Sequence, residues 1–259
     1  MNTNPWLVVH AAASPVRARL ICFPYAGGGA SAFRRWAPLI PAGVELVAVQ
    51  PPGREARFTE TPYRALTPLV AGLREAIAPL LDRPTIFFGH SLGALVAYEL
   101  VRMLIAADMP RPAHLFASGR RAPGLALGRR AFHDLPQAEL IEELRAMKGT
   151  GDGVLEHPEL MEMLLPLLRA DFEVHDTYRW QPGAPLDLPI TALGGLDDVA
   201  TDVDNLAAWQ SMSRQPCRVR MFRGGHFFID DSRDEVLAVV CQELQALIAS
   251  AVECAGAAA

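Results

Sequence analysis

The sequence predicts an α/β fold built on a doubly wound, mainly parallel central sheet. Three observations carry that expectation. Apolar segments of strand length alternate with helical segments from one end of the chain to the other. The alternation breaks once, from Arg120 to about Gly183, where no convincing strand is found. Four loops, at Ala26-Gly27-Gly28-Gly29, Ser91, Asp197-Asp198 and His226, follow strands, the ends at which open α/β sheets gather their chemistry. The 259 residues, 51% of them hydrophobic, suit one domain, 1–259, with a substantial core and a helical insertion at about 120–185.

Trp6 to Val9 reads as an edge strand and Arg19 to Phe23 as a buried one. The second runs into Pro24-Tyr25-Ala26-Gly27-Gly28-Gly29-Ala30. Three glycines after a strand mean a tight turn or a close approach by another group. No Gly-Lys-Ser/Thr follows at phosphate-loop spacing, and GxGxxG is absent. Ser31 to Leu39 suggests a short helix stopped by Pro41, and Val44 to Val49 another strand. Pro51-Pro52-Gly53-Arg54-Glu55 is a stiff turn, and Leu66 to Leu81 has the spacing of an amphipathic helix.

Pro84 to Phe88 is again of strand length, and Ala94 to Ala106 is helical, with no Gly or Pro. Between them lies Gly89-His90-Ser91-Leu92-Gly93. Strand, tight turn and helix are the setting in which Gly-X-Ser-X-Gly forms a nucleophile elbow. Its glycines are required because side chains there would collide with the adjoining strand and helix, while the serine stands clear of the sheet in a strained backbone.

Ala113 to Ala117 is strand-like. In the insertion, Gln137 to Met147 and Pro158 to Ala170 are helical, separated by Gly149-Thr150-Gly151-Asp152-Gly153. Met161, Met163, Leu164, Leu165, Leu167 and Leu168 read either as a helix buried in a core or as one whose inner face lines an acyl pocket. Leu188 to Leu193 resumes the alternation and leads into Gly194-Gly195-Leu196-Asp197-Asp198. Asp204 to Met212 looks helical, and Cys217 to Phe222 is the last strand, followed by Gly224-Gly225-His226-Phe227-Phe228. Asp234 to Ala251 is a final amphipathic helix, and Ala255 to Ala259 reads as a frayed tail.

A serine hydroxyl is a weak nucleophile at neutral pH and needs a base within hydrogen-bond reach. In chains that carry such an elbow the order is serine, then acid, then histidine. Of the seven histidines only His226 lies beyond the candidate acid loop. Asp197 and Asp198 compete for the acid role; the spacing Gly195-X-X-Asp198 favours Asp198. The backbone N–H groups of Leu92 and Ala26 are the expected oxyanion donors. On its own the glycine run reads as an ordinary loop; beside Ser91 it reads as half of that hole. The reaction class is acyl transfer to water through an acyl-serine.

Composition narrows the rest. A net charge of −5 gives no basic patch for nucleic acid. The four cysteines form no CxxC pair and no metal-ligand spacing, so no metal or cofactor is expected. Met1 to Pro15 lacks a basic region followed by a long apolar run, and no apolar stretch is long enough to span a membrane. The expectation is a cytoplasmic protein with reduced thiols.

Motifs along nearly the whole chain, about Leu20 to Leu247, resemble the stand-alone type II thioesterases of polyketide and nonribosomal peptide synthases. They are Phe23-Pro24-Tyr25-Ala26-Gly27-Gly28, Gln50-Pro51-Pro52-Gly53-Arg54-Glu55-Ala56-Arg57, Gly89-His90-Ser91-Leu92-Gly93, Leu168-Arg169-Ala170-Asp171-Phe172 and Gly224-Gly225-His226-Phe227-Phe228. The acid loop followed by Trp209 is similar too, and Pro51 departs from the leucine more usual there. The resemblance implies an α/β-hydrolase fold with a helical lid. It also implies hydrolysis of acyl thioesters on the phosphopantetheine arm of carrier proteins, in an editing role. Apart from the resemblance, the expected state is a monomer. A carboxylesterase with the same triad and a non-catalytic carrier-binding protein are the competing expectations. Arg54, Glu55 and Arg57 read either as a structural ion pair near the rim of the site or as substrate contacts. Arg169 to Phe172 reads as a hinge or anchor of the lid, or as a buried charge pair.

Overall fold

The computed structural model describes residues 4–126, 130–147 and 157–257. Seven strands form one sheet: β1 (Leu7–Ala11), β2 (Ala18–Phe23), β3 (Val44–Val49), β4 (Thr85–His90), β5 (His114–Ser118), β6 (Ile190–Gly195) and β7 (Cys217–Phe222). Their order is β1-β3-β2-β4-β5-β6-β7. β1 runs antiparallel to β3 and every other pair is parallel.

The inner strands are apolar on both faces because helices cover both faces. Ile21, Phe23, Val47, Phe87, Leu115 and Ile190 point into a core shared with α1 (Leu66–Ile77) and α2 (Leu92–Ala106). Leu20, Cys22, Leu46, Phe88 and Phe116 alternate with them and point into the opposite core. There they meet Phe33 and Trp36 of a 3₁₀ segment, Ala30–Leu39, and the last helix, Arg233–Ala257. Trp36 lies edge-on to Phe33 and to Phe88, with centroids 5.2 and 4.7 Å apart. The two sheet edges differ. β1 carries an irregularity between Val9 and Ala11. β7 leaves Arg218 and Arg220 exposed at alternate positions.

The order in which strands are added to the sheet reverses at β2, with strand direction unchanged. The chain leaves it for β3 on one side and returns to β4 on the other, with Phe23 opposite Gly89. A crevice therefore opens at the carboxyl ends of β2 and β4, the position such sheets use for function. The glycine loop and Ser91 both stand there.

Several bounds differ from the sequence reading. The helix expected to Leu81 ends as α1 at Ile77 and continues as a 3₁₀ turn, because Pro79 has no N–H to give to Glu75. The helix expected to stop at Ala170 runs on as α4 (Pro158–Thr177), since its apolar spacing continues through Phe172 and Val174. β6 sits two residues later than expected and includes both glycines of the acid loop. The last helix extends to Ala257, through residues read as a frayed tail, in keeping with the alanine content there. Gly149 to Gly153 lie outside the described residues.

Between β5 and β6 the described chain holds α3 (Gln137–Met147) and α4 and no strand. Phe132, Leu135, Leu140, Leu144, Met161, Leu165, Leu168 and Phe172 form a small core of their own. The Asp176 carboxylate, wholly buried on α4, accepts the N–H groups of Phe132 and His133, which ties the start of this segment to its end. No helix among the described residues is long and apolar enough to cross a membrane.

Candidate active site

Ser91 sits between β4 and α2 with φ 53° and ψ −114°. A non-glycine residue held there costs of order 1–3 kcal/mol, which the surrounding packing must supply. The packing is close. A Cβ on Gly89 would lie 2.3 Å from the Gly93 carbonyl oxygen, and one on Gly93 would lie 2.1 Å from the Phe23 oxygen. Helix α2 therefore rests directly on the ends of β2 and β4, and only hydrogen fits at the two glycines of the pentapeptide. The Ser91 N–H donates to Ser118 O at 2.7 Å, anchoring the elbow to β5. Among the described residues Ser91 Oγ makes no hydrogen bond.

Asp198 and His226 come from the turns after β6 and β7. The Asp198 side chain is 1% exposed and that of His226 7%. His226 Nδ1 donates to Asp198 Oδ2 at 2.8 Å. An ionised carboxylate can only accept, so Nδ1 carries the proton and Nε2 is left as the acceptor. Asp198 also accepts the Thr201 hydroxyl at 2.5 Å and the Ala200 N–H at 2.9 Å. Burial pushes the Asp198 carboxyl up, but the His226 imidazole, the Thr201 hydroxyl and the Ala200 N–H outweigh it and hold the group below the usual aspartate value. The side chain of Asp197 is exposed, and its N–H donates to Gly224 O. Of the two aspartates the fold brings Asp198 to the histidine.

His90 lies behind His226, with ring centroids 5.2 Å apart. Its Nδ1 is 2.9 Å from Ser118 Oγ, and its buried Nε2 has no hydrogen-bond partner. Burial, then the charge of the neighbouring His226, pushes His90 well below the ordinary histidine value. His90 therefore stays neutral and fills space between Tyr25, Phe227 and Phe228.

The glycine loop passes over the N-terminus of α2. Among the described residues nothing accepts a hydrogen bond from the N–H of Ala26 or of Leu92, whereas the next one along, Gly27 N–H, is taken by Asp171 Oδ2 at 2.7 Å. A cleft beside them is lined by Tyr25, Tyr63, Leu69, Leu73, Leu92 and Val96. From α4 it takes Asp171; of the Met and Leu residues read as either core or pocket-lining, Met161, Leu165 and Leu168 pack in the helical core.

Of the two readings for the arginine-bearing turn, the structure has ion pairs, with partners outside the turn itself. Arg54 makes a two-pronged ion pair with Asp171, at 2.7 and 2.9 Å. Arg57 pairs with Glu60 and stacks on Trp6, and Glu55 accepts from the Ser31 hydroxyl. Trp209 is fully buried and donates Nε1–H to Arg120 O at 2.8 Å. Sequence reasoning missed Thr201, whose only signal is the turn spacing Asp198-X-X-Thr201; Gln50 and Asp171 stand in the motifs it singled out, but their bonds to the glycine loop and to Arg54 were not read. Among the described residues no group of His, Cys, Asp or Glu side chains is arranged to hold a metal ion.

The Thioesterase domain family matches residues 18–244. The gramicidin S biosynthesis protein GrsT of Aneurinibacillus migulanus is 40% identical over 248 residues, 96% of this chain and 97% of that protein. The type II thioesterase BorB from the borrelidin biosynthetic cluster superposes with a TM-score of 0.86 at 34% identity, covering 94% of this chain and 99% of that one. The RedJ thioesterase from the prodiginine pathway of Streptomyces coelicolor gives 0.82 at 39% identity, over 87% and 85%. With likeness of this extent in both sequence and fold, the chain belongs to the thioesterase-domain family, among the type II thioesterases that share the α/β-hydrolase fold.

Proposed function

We propose that this thioesterase removes acyl groups from the phosphopantetheine thiol of carrier proteins, in an editing role, through an acyl-Ser91 intermediate. The observation that carries the serine chemistry is the Asp198–His226 pair on the strand-end turns beside the Ser91 elbow. Ser91 Oγ attacks the thioester carbonyl and gives its proton to His226 Nε2, the nitrogen not tied to Asp198. Negative charge builds on the carbonyl oxygen, where the N–H groups of Leu92 and Ala26 receive it. In comparable sites one such donor lowers the barrier by roughly 3–4 kcal/mol. The thiol leaves with the proton from His226. Water, deprotonated by the same imidazole, then releases the acid from Ser91. Asp198 remains ionised throughout and stabilises the imidazolium.

The carrier-bound substrate follows from kinship with proteins of peptide and polyketide biosynthesis. The helical segment around α3 and α4 is the lid of this reading. The test compares acyl groups loaded on a carrier protein with the same groups as small thioesters and as oxygen esters. Turnover that prefers the carrier-bound thioester, and falls at least about 10⁴-fold in Ser91→Ala, is expected. Equal turnover of oxygen esters, indifferent to the carrier, would instead describe a carboxylesterase. Undiminished turnover by Ser91→Ala would remove the serine mechanism.

A further inference from the structure

The backbone of the glycine loop is held by side chains from two distant places. One is the turn after β3. Gln50 Oε1 accepts the Ala30 N–H at 2.8 Å, while Gln50 Nε2 donates to Arg54 O at 2.8 Å. Glu55 accepts the Ser31 N–H at 3.1 Å, and Arg54 Nη1 donates to Gly28 O at 3.1 Å. The other is α4. Asp171 accepts the Gly27 N–H at 2.7 Å and the two Arg54 bonds as well. Both ion-pair partners are buried, Asp171 at 4% and Arg54 at 6% exposure. One turn earlier on α4, Leu168 lies over Gly27, so close that a Cβ there would come within 2.6 Å of its methyl.

We propose that Asp171 and Arg54 are positioning residues for the oxyanion hole, and that they make its formation conditional on the seating of α4. This rests on reading the Ala26 N–H as an oxyanion donor. Gly27, at φ +78°, has the backbone freedom to swing its peptide plane. The Asp171 carboxylate fixes that plane by holding the Gly27 N–H, and so fixes the residue whose N–H must face the reacting carbonyl. A carboxylate so near a developing oxyanion would by itself oppose the reaction. Arg54 removes that conflict: its guanidinium neutralises Asp171 two-pronged and holds the next carbonyl, Gly28 O, from the same nitrogen. If α4 lifts, the Gly27 tie and the Leu168 contact are lost together, while Ser91, His226 and Asp198 stay where the sheet puts them.

The experiment measures hydrolysis of a small acyl thioester by Asp171→Ala, Asp171→Asn and Arg54→Lys, with rates divided by the number of sites that a fluorophosphonate labels to completion. In Asp171→Ala, kcat per labelled site is expected to fall about a hundredfold with KM within about threefold. Affinity for an alkyl trifluoromethyl ketone, which forms an oxyanion on Ser91, should fall by the same factor. The pH profile should keep its position, because the Asp198–His226 pair is untouched. Asp171→Asn should lose less, since its amide oxygen still accepts from Gly27. If Asp171→Ala does not fold, Asp171→Asn and Arg54→Lys carry the test, each with an expected loss of about tenfold in kcat and in ketone affinity. A kcat per site within twofold of the parent, or a loss of kcat without weaker ketone binding, would overturn the proposal. Those results with Ser91→Ala inactive would leave the serine mechanism standing; an active Ser91→Ala would end both.

Discussion

The two flanks of Ser91 are built in different ways. On the acid–base flank, Asp198 and His226 stand on turns that follow neighbouring parallel strands, β6 and β7, and meet at 2.8 Å. Their helpers are close in sequence: Ala200 and Thr201 lie within three residues of Asp198. On the oxyanion flank, the loop after β2 is held by residues from the turn after β3 and by Asp171, 144 positions from Gly27. One flank is a property of the sheet. The other is assembled from three segments, one of them outside the sheet, and can come apart while the sheet stays whole.

That contrast predicts unequal damage. The largest effect belongs to the compact flank. Asp198→Asn should lower kcat by about 10⁴, as losing the orienting carboxylate does in related triads, while Asp197→Asn stays within about twofold. Steady-state kinetics on one thioester checks both, and the reverse pattern would move the acid to Asp197. A smaller effect is expected on the assembled flank, where Gln50→Leu strands the buried Ala30 N–H and leaves the Arg54 carbonyl with the Arg57 N–H alone. About tenfold in kcat and roughly 1–3 kcal/mol of stability should go together, measured by kinetics and urea unfolding.

The mildest test concerns the sheet beneath both flanks. His114, buried on β5 against Thr191, is lowered by burial and then by Arg218 from its usual 6.5 to about 4. Glu243 stands 3.9 Å from its Nδ1 but is engaged by Arg218 at 2.6 Å. Between those pH values the unfolded chain takes up a proton that the folded chain refuses. Stability therefore falls as pH drops through that window, by at most about 3 kcal/mol from this residue. His114→Gln should flatten the dependence in unfolding titrations from pH 7 to 4. An unchanged slope would mean that His114 charges in the folded state.

The same contrast explains what was legible in the sequence. The strands were readable because a sheet covered on both faces leaves short apolar runs, and because glycines mark where α2 and the acid loop approach backbone. Asp198 could be preferred to Asp197 from spacing alone. The partner of Arg54 could not be read, because Asp171 becomes its neighbour only through the path of α4. For Met161 and Leu165 the sequence left core and pocket both open, and they turn toward α3. Both their surroundings are apolar, and periodicity reports a face without saying what covers it.

The edges of the sheet have a consequence of another kind. An open row of strand N–H and C=O groups is a template on which a second chain can add a strand, and sheets that persist in concentrated solution must discourage it. Here the two ends use separate devices. At β1 the spacing breaks between Val9 and Ala11, so a straight strand laid along it loses register. At β7, Arg220 stands exposed on the edge strand beside Arg218, which Glu243 holds, and charged side chains on an edge discourage a further strand. Both ends of the sheet are thus guarded against other backbones, while the crevice lies between β2 and β4 at its middle.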